Sequence, residues 1–124
     1  MFKVFVILGS LGAMLSVALG AFGAHVLKGM LSEQMLANFQ TGVHYQMFHA
    51  IGLICVGIIT RWLGPSGLLH AAGWLLLVGI ILFSGSLYVL SMTGLTRLGA
   101  ITPFGGVSFI LGWLCLILAV WKSV

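Results

Sequence analysis

Four histidines, two tyrosines, two cysteines and one carboxylate are nearly all the reactive side chains that this chain contains. Two of the histidines fall in one stretch, Thr41–Ala50, read TGVHYQMFHA, where a polar segment gives way to a long apolar run. On a helix turning 100° per residue, Asn38, Gly42, Tyr45, Gln46 and His49 share roughly one third of the circumference, and His44 points almost the opposite way. A face of this kind can pass protons, hold a small polar ligand, or hydrogen-bond to neighbouring helices. It is a poor metal site as it stands. His44 and His49 are five residues apart and diverge around the helix, so they cannot chelate one ion as an i, i+4 pair would. A haem or metal shared between helices, by His25 and His49 for instance, has no spacing signal behind it.

Other chemistries fail for lack of parts. The chain has no Asp and a single Glu, Glu33. Paired-carboxylate hydrolysis and a Ser-His-Asp arrangement both lack their acid. No glycine-rich loop precedes a lysine in phosphate-binding form. Ion pumps carry acids within their spans, and Glu33 lies outside the apolar runs. Cys55 and Cys115 sit inside apolar runs without metal-type spacing and read as buried apolar thiols. The sequence therefore assigns no catalytic, cofactor or metal residue.

The elements that must position these residues are set by composition. Hydrophobic residues make up 61% of the 124 positions and charged residues 5%, against roughly 25% charged in a soluble domain. Lipid is the natural solvent for such a chain. There the backbone must satisfy its own hydrogen bonds, which leaves helices or a closed barrel. The apolar runs are continuous and far longer than the roughly 10-residue alternating segments of a barrel. An all-α membrane protein follows: one domain, residues 1–124, with four spans at about 2–27, 41–60, 67–92 and 103–121. Five scattered cations act as membrane anchors and form no stripe for nucleic acid.

Taken in order, the first run exceeds the roughly 7–15 residues of a signal-peptide core and reads as a retained span. Gly9, Ala13, Ser16, Gly20 and Gly23 form a small-residue seam on it, and Gly12, Ser16, Gly20 and Ala24 a second. GAFGAH, Gly20–His25, closes the run and leaves His25 at the membrane edge. Ser32 is a helix cap, with Glu33 placed to complement the dipole. An amphipathic interfacial helix over about 32–40 comes next, and nothing before Gly42 stops it from continuing into the second span. Gly-Pro-Ser at Gly64–Ser66 is turn chemistry, with Ser66 as the next cap. In the third span Ser84, Tyr88 and Ser91 share a face, which makes Ser84 and Tyr88 the expected partners of Tyr45, Gln46 and His49. Thr102-Pro103 reads as a helix start, with Thr102 as cap. Gly105, Ser108, Gly112, Cys115 and Ala119 alternate steps of three and four, a seam for close helix packing.

Four spans put both termini on one side. Lys3, Arg61 and Lys122 share that side and Lys28 and Arg97 face the other, a bias toward cytoplasmic termini.

Four ordered motifs carry a resemblance over essentially the whole chain: GAFGAH at Gly20–His25, TGVHYQMFHA at Thr41–Ala50, LFSGSLY at Leu82–Tyr88 and LGAITPFGG at Leu98–Gly106. Together they resemble the small bacterial inner-membrane family called domain of unknown function four-two-three, whose eukaryotic branch is transmembrane protein two-five-six. The resemblance implies a four-helix inner-membrane protein, and supplies no catalytic residue. Three functions fit the residues. The first is a non-enzymatic accessory or assembly bundle, touching lipids and a second copy or a membrane-protein partner through its seams. The second is a conduit for a small molecule, lipid or proton along Tyr45, Gln46 and His49. The third is a haem- or quinone-binding redox subunit.

Overall fold

The computed structural model describes residues 1–123, and these are built of helices. Helix α1 runs Phe2–His25 and is followed by a 3-10 turn, Leu27–Gly29; α2 runs Glu33–Leu63. The third span is compound. Helix α3, Gly67–Gly79, passes through a π-helical segment, Ile80–Ser84, into α4, Gly85–Thr93. A second 3-10 turn, Thr96–Ala100, leads to α5, Thr102–Lys122. Among the described residues, four helical stretches are long and apolar enough to cross a membrane: Phe2–Gly29, Glu33–Leu63, Gly67–Thr93 and Thr96–Lys122.

The interfacial segment and the second span are one element. Residues 33–40 form the first turns of α2 and continue into it without a break. No glycine in a positive-φ conformation and no proline interrupts the backbone there, so the helical hydrogen bonds simply propagate. Ser32 Oγ accepts from Met35 N–H at 3.2 Å and Ser66 Oγ from Leu69 N–H at 3.1 Å, so both serines cap their helices. Thr102 does not. It lies inside α5, whose first turn holds Pro103, and its hydroxyl meets Ser86 Oγ at 2.6 Å. A bond to a neighbouring helix has replaced the expected local one. Gly64 (φ 88°) and Gly94 (φ 73°) end α2 and α4 in backbone conformations that a side chain would strain.

Helix α2 is the hub. Against it lies α1, through a row of small residues. A Cβ on Gly9 would fall 2.6 Å from Ala50 O, one on Gly12 3.1 Å from Ala50 Cβ, and one on Gly23 3.1 Å from the Phe39 ring. Ser16 is buried in the same row, Gly20 faces Val43 at 3.5 Å, Ala13 is half-buried and Ala24 is exposed. The contact thus draws on both predicted seams. Phe5, fully buried, lays its ring on Gly73 of α3.

The α5 seam closes on the third span. Gly105 rests on Phe83, Ser108 Oγ donates to Leu75 O at 2.6 Å, and a Cβ on Gly112 would meet Leu76 at 2.9 Å. Cys115 packs at the edge of the core and Ala119 is buried. Phe109 in turn fills the notch at Gly79. These insertions converge on a core of Phe5, Leu53, Val56, Ala72, Leu76 and Phe109. Cys55 does not join it; it is exposed on the outer face of α2, contrary to the expectation of a buried thiol.

Candidate intramembrane polar cluster

Gln46 is the centre of the cluster. It lies on the buried side of α2, one turn beyond Gly42. Gly42 has no side chain, and the Tyr88 ring fills the space: a Cβ there would sit 2.8 Å from Tyr88 Cε1. The ring also packs on Phe39, with centroids 5.1 Å apart. This placement carries the Tyr88 hydroxyl to Gln46, where it donates to Oε1 at 2.6 Å. The other end of the amide faces α1, and Gln46 Nε2 donates to Gly12 O at 2.8 Å. One side chain therefore links α1, α2 and α4.

The π-helical segment serves the same region. A π turn inserts one extra residue into the helix and rotates every residue beyond it about the axis. Ser84, the last residue of that segment, is fully buried and donates to Gly42 O at 2.6 Å. Both acceptors are carbonyls of glycines, whose missing side chains let the neighbouring helix come close. A carbonyl already accepting within its helix retains a second lone pair for such a bond.

Tyr45 and His49 belong to a different contact. His49 Nδ1 donates to Tyr45 O at 2.7 Å. A carbonyl can only accept, so this bond places the hydrogen on Nδ1 and leaves Nε2 as an acceptor in the neutral ring. The His49 ring stacks on Phe109 of α5 at 3.5 Å and lies 5.7 Å from the Trp113 ring. Tyr45 runs parallel to His49 at 6.0 Å and packs on Phe83 at 4.3 Å. Trp113 fits the notch at Gly52 of α2. Thus Gln46 meets Tyr88, and Ser84 meets the α2 backbone, whereas Tyr45 and His49 face α5 and the ring of Phe83.

Asn38 stays apart, accepting from Gln34 Nε2 at 3.1 Å near the start of α2. His25, at the end of α1, and His44 are exposed, and His70 accepts from Trp74 Nε1 at 3.0 Å in the first turn of α3. Among the described residues no three His, Cys, Asp or Glu side chains converge in a way that could hold a metal ion. Sequence reading did not find the aromatic wall of Phe83, Phe109 and Trp113. The four-residue spacing of Phe109 and Trp113 on α5 was its one available signal.

The profile of a family described as "Protein of unknown function (DUF423)" matches residues 19–106. The chain belongs to this family. The stretch matched by the DUF423 profile contains Gln46, His49, Ser84 and Tyr88, and stops short of Phe109 and Trp113. Among curated relatives, the UPF0382 membrane protein YwdK of Bacillus subtilis is 51% identical over 120 residues, covering 97% of this chain and 98% of its own. A UPF0382 membrane protein of Staphylococcus haemolyticus is 50% identical and covers 98% of each chain. One from Staphylococcus epidermidis is 50% identical over 97% of each. No solved structure matches. Relatives named as membrane proteins and four helices able to span a bilayer agree: the chain is a small helical membrane protein of the DUF423 family.

Proposed function

We propose that the protein is a non-enzymatic accessory or assembly subunit of the bacterial inner membrane, with both termini in the cytoplasm. The observation that carries this reading is how the polar residues are used. Gln46, Tyr88, Ser84, Ser86, Thr102 and Ser108 each bond to another helix or to its backbone. In hydrocarbon a polar group without a partner costs several kcal/mol, and these groups have found partners inside the fold. Their geometry is that of interhelical ties. A conduit would need these residues along one wall, whereas Gln46 faces α1 and α4 and Tyr45 and His49 face α5.

The small-residue seams of α1 and α5 pack mostly within the chain, with Ala24 exposed, and the outer apolar side of α1 and α5 is one surface left for other proteins. Exposed Ile7, Met14 and Val17 on α1 and Ile110 and Ile117 on α5 mark it. Lipids and other membrane helices are the partners such a surface suits. The test is blue-native electrophoresis of host membranes in a mild detergent. An assembly subunit migrates in a species well above the size expected for one 13.2 kDa chain with bound detergent. Migration as the single chain at every detergent concentration would refute the reading.

A further inference from the structure

Each polar atom of the Gln46 cluster is satisfied, but His49 is left with one nitrogen to spare. Nδ1 is committed to the Tyr45 carbonyl, and Nε2 has no hydrogen-bond partner among the described residues. The residue is only 7% exposed, yet no fully buried side-chain nitrogen among those residues lacks a partner. Nε2 therefore reaches the surface, and the recess that His49 lines is a groove of about 530 Å³ between α2 and α5. His44, Tyr45, Phe48 and Trp113 form the rest of its wall. The Tyr45 hydroxyl, one turn away on the same wall, likewise has no partner among the described residues.

Depth narrows the choice of ligand. His49 is 16 residues from the start of α2 and 14 from its end, about 24 and 21 Å at 1.5 Å per residue. It lies near the middle of a hydrocarbon layer about 30 Å thick, beyond the reach of phospholipid headgroups. A donor for Nε2 must be soluble in the bilayer interior. Three flat rings, Tyr45, Phe48 and Trp113, favour a planar partner that stacks or lies edge-on. We infer that the α2–α5 groove binds a hydroquinone-class amphiphile from the bilayer, its ring hydroxyl donating to His49 Nε2 and its ring lying against Phe48 and Trp113. This goes beyond the accessory role and does not depend on it.

The experiment follows the imidazole nitrogens of 15N-histidine-labelled protein in lipid nanodiscs by NMR, under anaerobic conditions. His49→Phe, which keeps an aromatic ring against Phe109, assigns the His49 signals. The probe is 2-decyl-1,4-hydroquinone, with 2-decyl-1,4-benzoquinone, which lacks the donating hydroxyl, as comparison. The hydroquinone shifts His49 Nε2 saturably while Nδ1 holds its position, and the quinone has little effect. Phe48 is 71% exposed, so Phe48→Ala leaves the fold intact and weakens the response by roughly five- to tenfold. That variant keeps the test open even where His49→Phe fails to fold. Three outcomes overturn the proposal: no saturable shift, an equal response to the quinone, or an Nε2 signal that moves with protein density alone, which would put a second copy of the chain in the groove.

Discussion

Removing the Gln46–Tyr88 contact from one end or from both separates a structural tie from a group held in place for another purpose. Gln46→Leu deletes two interhelical bonds, to Gly12 O at 2.8 Å and from Tyr88 Oη at 2.6 Å. Interhelical bonds in membranes average about 0.6 kcal/mol and reach about 1.7. Gly12 O keeps the Ser16 hydroxyl at 2.9 Å, so little is lost there. The Tyr88 hydroxyl, half-buried under α1, loses its acceptor, which adds a further cost of about 1 kcal/mol or more. The single change should thus cost about 2–3 kcal/mol. Tyr88→Phe keeps the ring in the Gly42 notch and strands Oε1, for about 1–2 kcal/mol. In the double variant neither group is stranded, so its cost falls below the sum of the singles by about 0.6–1.7 kcal/mol. The assay is reversible unfolding in mixed micelles, with all four proteins at one detergent composition. Additivity within about 0.3 kcal/mol would mean that the two side chains do not act on each other, and the role given to the cluster would fall with it.

Packing predictions are sharper because they concern fixed distances. Gly112→Leu drives a side chain into Leu76, whose Cδ2 lies 2.9 Å from the ideal Cβ, and should cost about 1–3 kcal/mol; an unchanged melting temperature in detergent would show that this face meets lipid. Gly73→Ala should be worse than its one methyl suggests, because it collides with the Phe5 ring, whereas Gly85→Ala meets nothing within 4 Å and should change stability by no more than about 1 kcal/mol; equal effects at the two sites in thermal melts would contradict the packing described. Cysteines placed at Lys3 and Lys122, in a background lacking Cys55 and Cys115, should both label from the cytoplasmic side with an impermeant maleimide. Labelling from opposite sides would break the four-span count.

The four spans were legible because hydrocarbon imposes one requirement, continuous apolar helix, and the sequence meets it four times. Ser32 and Ser66 announced their helices because a cap is a local interaction, read within three residues. Thr102 misled for the complementary reason. Its local role was available, but Ser86 offered the hydroxyl a partner 16 residues away, and sequence spacing does not report that. The π segment at Ile80–Ser84 had no local signature either. It brings Ser84 onto Gly42 O, a contact 42 residues apart. On α2 the polar face was grouped by angle, yet an arc of about 100° spans two neighbours in a bundle, and Asn38 joins neither contact. Gln46 turned one way and His49 the other, and only the placement of α5 decides between them.

Apolar burial gives helices little reason to associate in lipid, so close packing and a few hydrogen bonds must supply the specificity. Here the bonds are spread one or two to a boundary. Gln46 joins α1 to α2, Tyr88 and Ser84 join α2 to the third span, Ser108 joins α3 to α5, and Ser86 with Thr102 joins α4 to α5. Among the described residues, the boundary between α2 and α5 has no such bond. Those helices meet through rings, His49 on Phe109 and Trp113 over Gly52. Ring contacts can slide where hydrogen bonds fix register, so this boundary can widen without stranding a polar group, as can the one where Phe5 of α1 meets Gly73 of α3. The α2–α5 boundary is also where the spare nitrogen of His49 lies. An open acceptor beside an interface held by rings is what the groove proposed for a hydroquinone rests on, between the second and fourth spans.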